Sequence, residues 1–181
     1  MEVHPVRADE LDDAARVVLA AYQALPGAHM TDGYATELTD LVSRSKQAEV
    51  LVATEAAVVV GCVTLVPDPA SPWAEQLGDG EVGLRMMAVD PAHQRQGIAQ
   101  VLLDACVDRA VELGRRTVFL HSTPWMTAAH RLYQRNGFVR APERDWLPGP
   151  DVPLLAFRLD LEVAGRPGGR PGFPSRRTGN S

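Results

Sequence analysis

Cysteine is scarce in this chain of 181 residues: Cys62 and Cys106 stand in separate segments, without CxxC spacing. Neither a disulfide scaffold nor a zinc site is indicated. The five histidines, His4, His29, His93, His121 and His130, form no i,i+4 pair around a glutamate, so a metallohydrolase helix is missing too and no metal is expected. No run approaches the ~20 apolar residues of a membrane helix. The opening MEVHPVRADE also lacks the basic and apolar regions of a signal peptide. The expectation is a soluble, cytoplasmic protein with no membrane partner.

What is present is an ordinary globular composition. Hydrophobic residues make up 45% and charged residues 23%, close to the average, and the length suits one domain with a real core. The net charge is −5, unevenly spread: residues 163–181 hold four arginines and no acid, which leaves −9 on residues 1–162. A body this acidic suits a cationic substrate and argues against nucleic acid, whose phosphates are bound through Lys and Arg. The segment 162–181 is rich in Gly, Pro and Arg with a single aromatic. It cannot bury enough apolar area to offset its ordering entropy and is expected to be a disordered tail.

Residues 1–161 read as alternating strands and helices. A short strand at 2–7 precedes a helix capped by Asp9, with Leu11, Ala15, Val18, Leu19 and Tyr22 at helical spacing. A second helix follows Thr31–Asp32, with Tyr34, Leu38, Leu41 and Val42 on one side. The apolar runs 50–53 and 58–66 form a hairpin through Thr54-Glu55-Ala56-Ala57, and 67–80 is a long connection of the functional or mobile kind. Within it Trp73 either packs down or lines a cleft. Strand 81–89 ends at Asp90-Pro91, and from Gly97 a helix buries Ile98, Val101, Leu102, Ala105 and Cys106, so Cys106 reads as core. A strand at 117–121, a helix over 127–136 closed by Gly137, and strands at 138–141 and 152–160 complete the chain. The fold class is therefore α/β, a single-domain mixed sheet in the order β-α-α-β-β-β-α-β-α-β-β. Strands 81–89 and 117–121 run parallel around a right-handed crossover.

The segment Val89-Asp-Pro-Ala-His-Gln94-Arg95-Gln96-Gly97-Ile98-Ala99 runs from strand through turn straight into that helix. The first amides of a helix have no internal partners and sit at its positive end, where a diphosphate is stabilised. No GK[ST] and no GxGxxG is present, so neither a Walker A loop nor a dinucleotide turn applies.

Gln94-Arg-Gln-Gly97-Ile-Ala99 resembles the Q/R-x-x-G-x-G/A signature of the GCN5-related N-acetyltransferase (GNAT) family. Arg85-Met-Met-Ala-Val-Asp-Pro91 looks like that family's strand into the turn. Ala129-His-Arg-Leu132-Tyr133-Gln-Arg-Asn-Gly137-Phe138 resembles its second signature, A-x-x-LY-x-x-x-GF. The likeness covers roughly residues 1–161 and implies a splayed parallel strand pair that binds acetyl-coenzyme A (acetyl-CoA) as co-substrate. It places the pyrophosphate on Gln94, Arg95, Gln96, Gly97, Ile98 and Ala99. The pantetheine arm then pairs with the backbone of Met87, Ala88 and Val89, and His121, Ala129 and Tyr133 complete the coenzyme contacts.

The activity implied is direct transfer of acetyl from the thioester to a primary amine, on a small-molecule or peptide acceptor. By its position on the stripe Ala129, Leu132, Tyr133 and Asn136, Tyr133 is a core tyrosine; by the resemblance it is the general acid toward the coenzyme sulfur. Many relatives carry a Glu where this chain has Gly83. Glu81, two residues earlier on the same strand face, is either a base acting through water or a surface carboxylate. His121 is a further relay or a structural histidine. Met126 stands where relatives often have an Asn near the pantetheine. The segment 23–33, the 67–80 loop and the last two strands are expected to form the acceptor pocket, with Glu75, Asp79, Glu81, Glu143 and Asp145 drawing in a cationic amine. The alternative is a non-catalytic acyl-CoA-binding sensor or assembly domain, which the missing glutamate favours and Tyr133 opposes. A nucleic-acid role for the arginine tail is a third reading. Relatives are often dimers, so a homodimer is open.

Overall fold

Strand β2 (Glu49–Glu55) alternates strictly: Val50 and Val52 join one apolar cluster, Leu51 and Ala53 the other. Successive strand side chains point to opposite faces, so a sheet of such strands needs helices on both. The computed structural model, which describes residues 1–25, 31–149 and 152–161, shows that arrangement. β1 (Glu2–Pro5) precedes three helices, α1 (Leu11–Gln23), α2 (Asp32–Thr39) and α3 (Leu41–Gln47). After β2 come β3 (Val58–Val66), β4 (Glu81–Val89), α4 (Ile98–Glu112), β5 (Thr117–Ser122), α5 (Thr127–Arg135), β6 (Val139–Arg140) and β7 (Leu155–Asp160). One seven-stranded sheet has the order β1-β2-β3-β4-β5-β7-β6, antiparallel except for the parallel pair β4–β5.

Helices α1–α3 cover one face, burying Val17, Val18, Leu38 and Leu41 against Val50, Val52, Cys62, Met86 and Ala88. Helices α4 and α5 cover the other, where Ile98, Leu102, Leu103, Cys106, Leu132 and Tyr133 meet Leu84, Val118, Leu120 and Phe157. Full burial of one such leucine contributes about 1.5–3 kcal/mol. Both cysteines are fully buried, one on each face. Burial pushes the Cys62 thiol up to about 12 and the Cys106 thiol higher still, so neither is a thiolate at neutral pH. Among the described residues no helix is long and apolar enough to cross a membrane.

The second helix expected after Thr31 is two helices. Thr31 caps α2 by accepting from Tyr34 N–H at 3.2 Å. The helix then breaks at Asp40 (φ −75°, ψ 63°), whose carboxylate caps α3 through Ser43 N–H at 3.0 Å. The break turns Val42 out to solvent at 51% exposure. The hairpin turn is also tighter than Thr54–Ala57, because Glu55 pairs with Val58. Only Ala56 and Ala57 turn the chain, at φ 48° and 64°. That mirror-image geometry matches strand twist but is normally supplied by Asn-Gly. At the chain's end the strand expected at 152–160 begins at Leu155, and β6 is two residues long. Gly137 closes α5 as expected, at φ 86°, with Phe138 N–H returning to Tyr133 O at 3.0 Å. Residues 26–30 of the 23–33 segment and the tail 162–181 lie outside the described residues.

Candidate active site

The parallel pair is paired over three positions only: Glu81, Val82 and Gly83 against Thr117, Val118 and Phe119. Past Gly83 the strands part, and an irregularity in β4 accompanies the parting. Cys62 and Thr64 of β3 are two residues apart, but their partners Ala88 and Arg85 are three apart, so β4 carries one extra residue. Met86 takes it up at φ 52°, a left-handed conformation costing a non-glycine residue about 1–2 kcal/mol. Such strain is held where the surroundings demand it, which is a pointer to a site. The side chains alternate here: Met87 and Val89 pack toward α4, and Ala88 is buried on the α1 side. What these three residues offer the opening is therefore backbone.

Where β4 ends, Asp90 caps a 3-10 turn (Pro91–His93) by accepting from Ala92 N–H at 2.9 Å. Arg95 and Gly97 then sit at φ 63° and 83°, and α4 starts at Ile98. The first hydrogen bond into the helix from this turn is Val101 N–H to Gly97 O at 3.1 Å. The preceding amides are left free by helix geometry and point out of the turn. Gln94, Arg95, Gln96 and Gly97 are exposed, Ala99 is half-buried, and Ile98 is buried as the anchor. A Cβ on Gly97 would meet nothing within 4 Å. The glycine is thus required by its dihedral angle, and the space beside it is open. The sequence-predicted turn and the strand opening lie at the same end of β4, the arrangement in which α/β sheets bind ligands.

On α5, Tyr133 is 4% exposed and packs on Phe138 and Phe157, with centroids 5.6 and 5.8 Å away. Burial pushes the phenol above its ordinary value, so it stays protonated. Ala129 packs half-buried beside it against the same cluster. Met126 sits at the helix start, where its sulfur accepts from Ser122 Oγ at 3.6 Å.

The other side of the opening is a small pocket lined by Trp73, Glu75 and Leu77 from the loop, Gly83 and Arg85 from β4, and Phe119 and His121 from β5. Trp73 therefore does both things expected of it, since it also packs on the α1–α3 cluster beneath the Arg44 guanidinium, 5.0 Å from its ring centroid. His121 stacks edge-on against Phe119 at 4.9 Å and meets Trp146 at 6.1 Å. Its Nε2 lies 3.0 Å from the carbonyl of Arg144. A carbonyl only accepts, so Nε2 carries the proton and Nδ1 keeps its lone pair. Nδ1 faces Glu75 Oε2 at 3.8 Å. Burial lowers the imidazole below its ordinary value, against the raising effects of the Arg144 carbonyl and Glu75, so the ring is neutral near pH 7.

Glu81 is not brought into this pocket. It starts β4 at the closed end, with Arg144 Nη1 and Nη2 on its two oxygens at 2.6 and 2.9 Å and Gly78 N–H at 2.8 Å. Burial raises its carboxyl, but the Arg144 and Gly78 hydrogen bonds outweigh that and hold it below the usual range. With its lone pairs engaged and its charge stabilised it is a poor base, and the structure gives it the role of fastening the Pro142–Arg144 turn to β4. Gly83 cannot stand in for the missing glutamate either. A Cβ there would lie 3.1 Å from Leu77 Cδ1, because the loop fills that space. The expectation missed the Met86 bulge, the Arg144 carbonyl and Trp146. The bulge has no glycine to announce it, and the other two meet His121 only through tertiary contact.

The model of the Acetyltransferase (GNAT) family matches residues 16–138. The ribosomal protein bS18-alanine N-acetyltransferase of Escherichia coli strain K12 is 33% identical over 85 residues, 46% of this chain and 57% of that protein. The chain thus spans about half the length of the curated relatives it matches. Among solved structures, a GNAT-family acetyltransferase of Staphylococcus aureus Mu50 superposes with a TM-score of 0.69 at 16% identity, over 88% of this chain and 98% of its own. The yncA protein of Salmonella typhimurium, solved with its cofactor acetyl-CoA, does so at 0.65 and 21% identity, over 93% and 98%. These likenesses establish the fold of the splayed sheet. The family's model extends over well more than half of the residues, and the chain belongs to the GNAT family of acetyltransferases.

Proposed function

We propose that the protein is an acetyl-CoA-dependent N-acetyltransferase, its domain spanning residues 1–161, that moves acetyl directly from the thioester to a primary amine. The observation that carries this reading is the opening between β4 and β5, which has free helix amides at one end and His121 in its wall. The residues present fit the coenzyme: the amides around Gln94–Ala99 suit a diphosphate, and open space beside Gly97 admits it. The backbone of Met87–Val89 can pair with the pantetheine arm.

Acetyl-CoA supplies an activated acyl group, so no enzyme nucleophile is needed. His121 Nδ1 takes one proton from the acceptor ammonium, leaving the lone pair that forms the N–C bond. As the C–S bond breaks, Tyr133 gives its phenolic proton to the departing sulfur. The second amine proton restores the phenol, and His121 releases its proton to solvent. A neutral imidazole is matched to an α-amine, of pKa about 7.7–8.0, far better than to a lysine at about 10.4. That match, together with the bS18-alanine relative, supports the amino terminus of a polypeptide as acceptor.

The test is coenzyme-thiol release by purified protein with acetyl-CoA and peptides that begin with alanine or carry only a lysine amine. Turnover on the alanine peptide is expected, and Tyr133→Phe should lower kcat about 100-fold or more without weakening coenzyme binding. No thiol release from any peptide, or an unchanged kcat in the variant, overturns the assignment. Leu77 filling the Gly83 space favours the second reading, a coenzyme-binding domain without catalysis. Calorimetric binding of acetyl-CoA without turnover would identify it.

A further inference from the structure

The loop between β3 and β4 brings a carboxylate into the active site that neither signature motif contains. Glu75 lies in the wall that holds His121, one oxygen bonded to the Arg85 guanidinium and the other turned toward the imidazole Nδ1 at 3.8 Å. It is three-quarters buried, in a wall otherwise formed largely by Trp73, Leu77 and Phe119. A charge in such surroundings acts strongly on its neighbours.

We propose that Glu75 is the positioning residue of His121, its free carboxylate oxygen stabilising the imidazolium that forms when Nδ1 takes the acceptor's proton. The inference rests on the reading of His121 as base. The geometry supplies what a histidine base requires: one ring nitrogen fixed on a carbonyl, at 3.0 Å, and an anion facing the other. The gap of 3.8 Å is too long for a direct hydrogen bond, so Nδ1 keeps its lone pair uncommitted on that side. Once protonated, Nδ1 becomes a donor directed at Glu75. Arg85 moderates the effect: it holds Glu75 in place, bonds to the Trp73 carbonyl at 2.9 Å, and reaches Glu37 of α2 at 3.6 Å. The other charges facing the ring, Arg144 and Asp145, come from the turn after β6 and oppose each other. A carboxylate delivered by the loop thus takes up the electrostatic work that Gly83 cannot do from β4.

The sign follows directly. Glu75 favours the charged ring, so its loss makes His121 harder to protonate. Titration of His121 followed by NMR of the labelled imidazole needs no acceptor and reads this in the intact protein. Glu75→Gln should lower the His121 midpoint by about 0.5–1 pH unit, and Glu75→Asp should restore part of it. Arg85→Gln, which frees the carboxylate, should raise the midpoint. An unchanged midpoint in folded Glu75→Gln, or a rise, overturns the proposal, and Arg85→Gln gives an independent reading should the first variant not fold. The acid limb of kcat/KM on an alanine-terminated peptide separates this inference from the reading beneath it. If His121→Gln abolishes the limb and Glu75→Gln leaves it in place, the Glu75 role falls and the base stands. If His121→Gln keeps the limb, the base assignment falls, and with it any catalytic role for Glu75.

Discussion

Two carboxylates close in sequence, Glu75 and Glu81, end in opposite circumstances, and the difference is decided by which arginine each meets. Arg144 takes both oxygens of Glu81, while Arg85 takes one of Glu75. Glu81→Gln therefore tests structure and leaves chemistry alone. The pair is partly open to water, so its loss should cost about 1 kcal/mol after solvent screening. The carboxyl is held below its ordinary value in the fold, mainly by Arg144 against the opposing effect of burial. Its stabilisation is therefore complete above the unfolded value near 4.5 and disappears as pH falls through the folded one. Thermal melts of Glu81→Gln and the parent should differ at pH 7 and converge near pH 3. Turnover at saturating substrate should be unchanged. A large loss of kcat in a folded Glu81→Gln protein would return Glu81 to the catalytic machinery.

Elements were legible in the sequence where their signal is local. α4 shows its apolar stripe and the glycine before it, α5 its closing Gly137, and β4 its Asp-Pro end, and all three stand where expected. The same local signals identified the turn at Gln94–Ala99, because free amides at a helix start follow from helix geometry alone. What escaped depended on competing choices at single residues. Asp40 serves as the end of α2 and the cap of α3, which periodicity alone does not reveal. The bulge at Met86 needs a positive φ from a residue that does not advertise one. The hairpin is a third case, and it can be improved. Ala56 and Ala57 adopt left-handed angles that Asn and Gly take at little cost. The double variant Ala56→Asn/Ala57→Gly should stabilise the protein by about 1 kcal/mol. Urea unfolding should show a higher midpoint with an unchanged slope, and a lower midpoint would mean that the turn is not of this type.

At the scale of the whole molecule, charge is divided between residues 1–162 and the segment that follows them. Residues 1–162 carry −9 and residues 163–181 carry four arginines. Among the described residues the last strand, β7, ends at Asp160, and Leu161 N–H is bonded to Arg116 O at 2.8 Å. A chain ended after Glu162 keeps every described strand and helix and should keep its melting temperature. Its effect should appear in encounter. Removing four positive charges makes the body a stronger attractor for a cationic peptide, and such steering acts on association while leaving the chemical step alone. The shortened protein should show a higher kcat/KM than the full chain toward a basic alanine-terminated peptide at about 10 mM salt, where the Debye length is ~30 Å. The two should merge at about 0.5 M salt, with kcat equal throughout. A lower kcat/KM in the shortened protein at every salt concentration would instead mean that the arginine segment contacts the acceptor or the coenzyme, and residues 163–181 would have to be counted as part of the site.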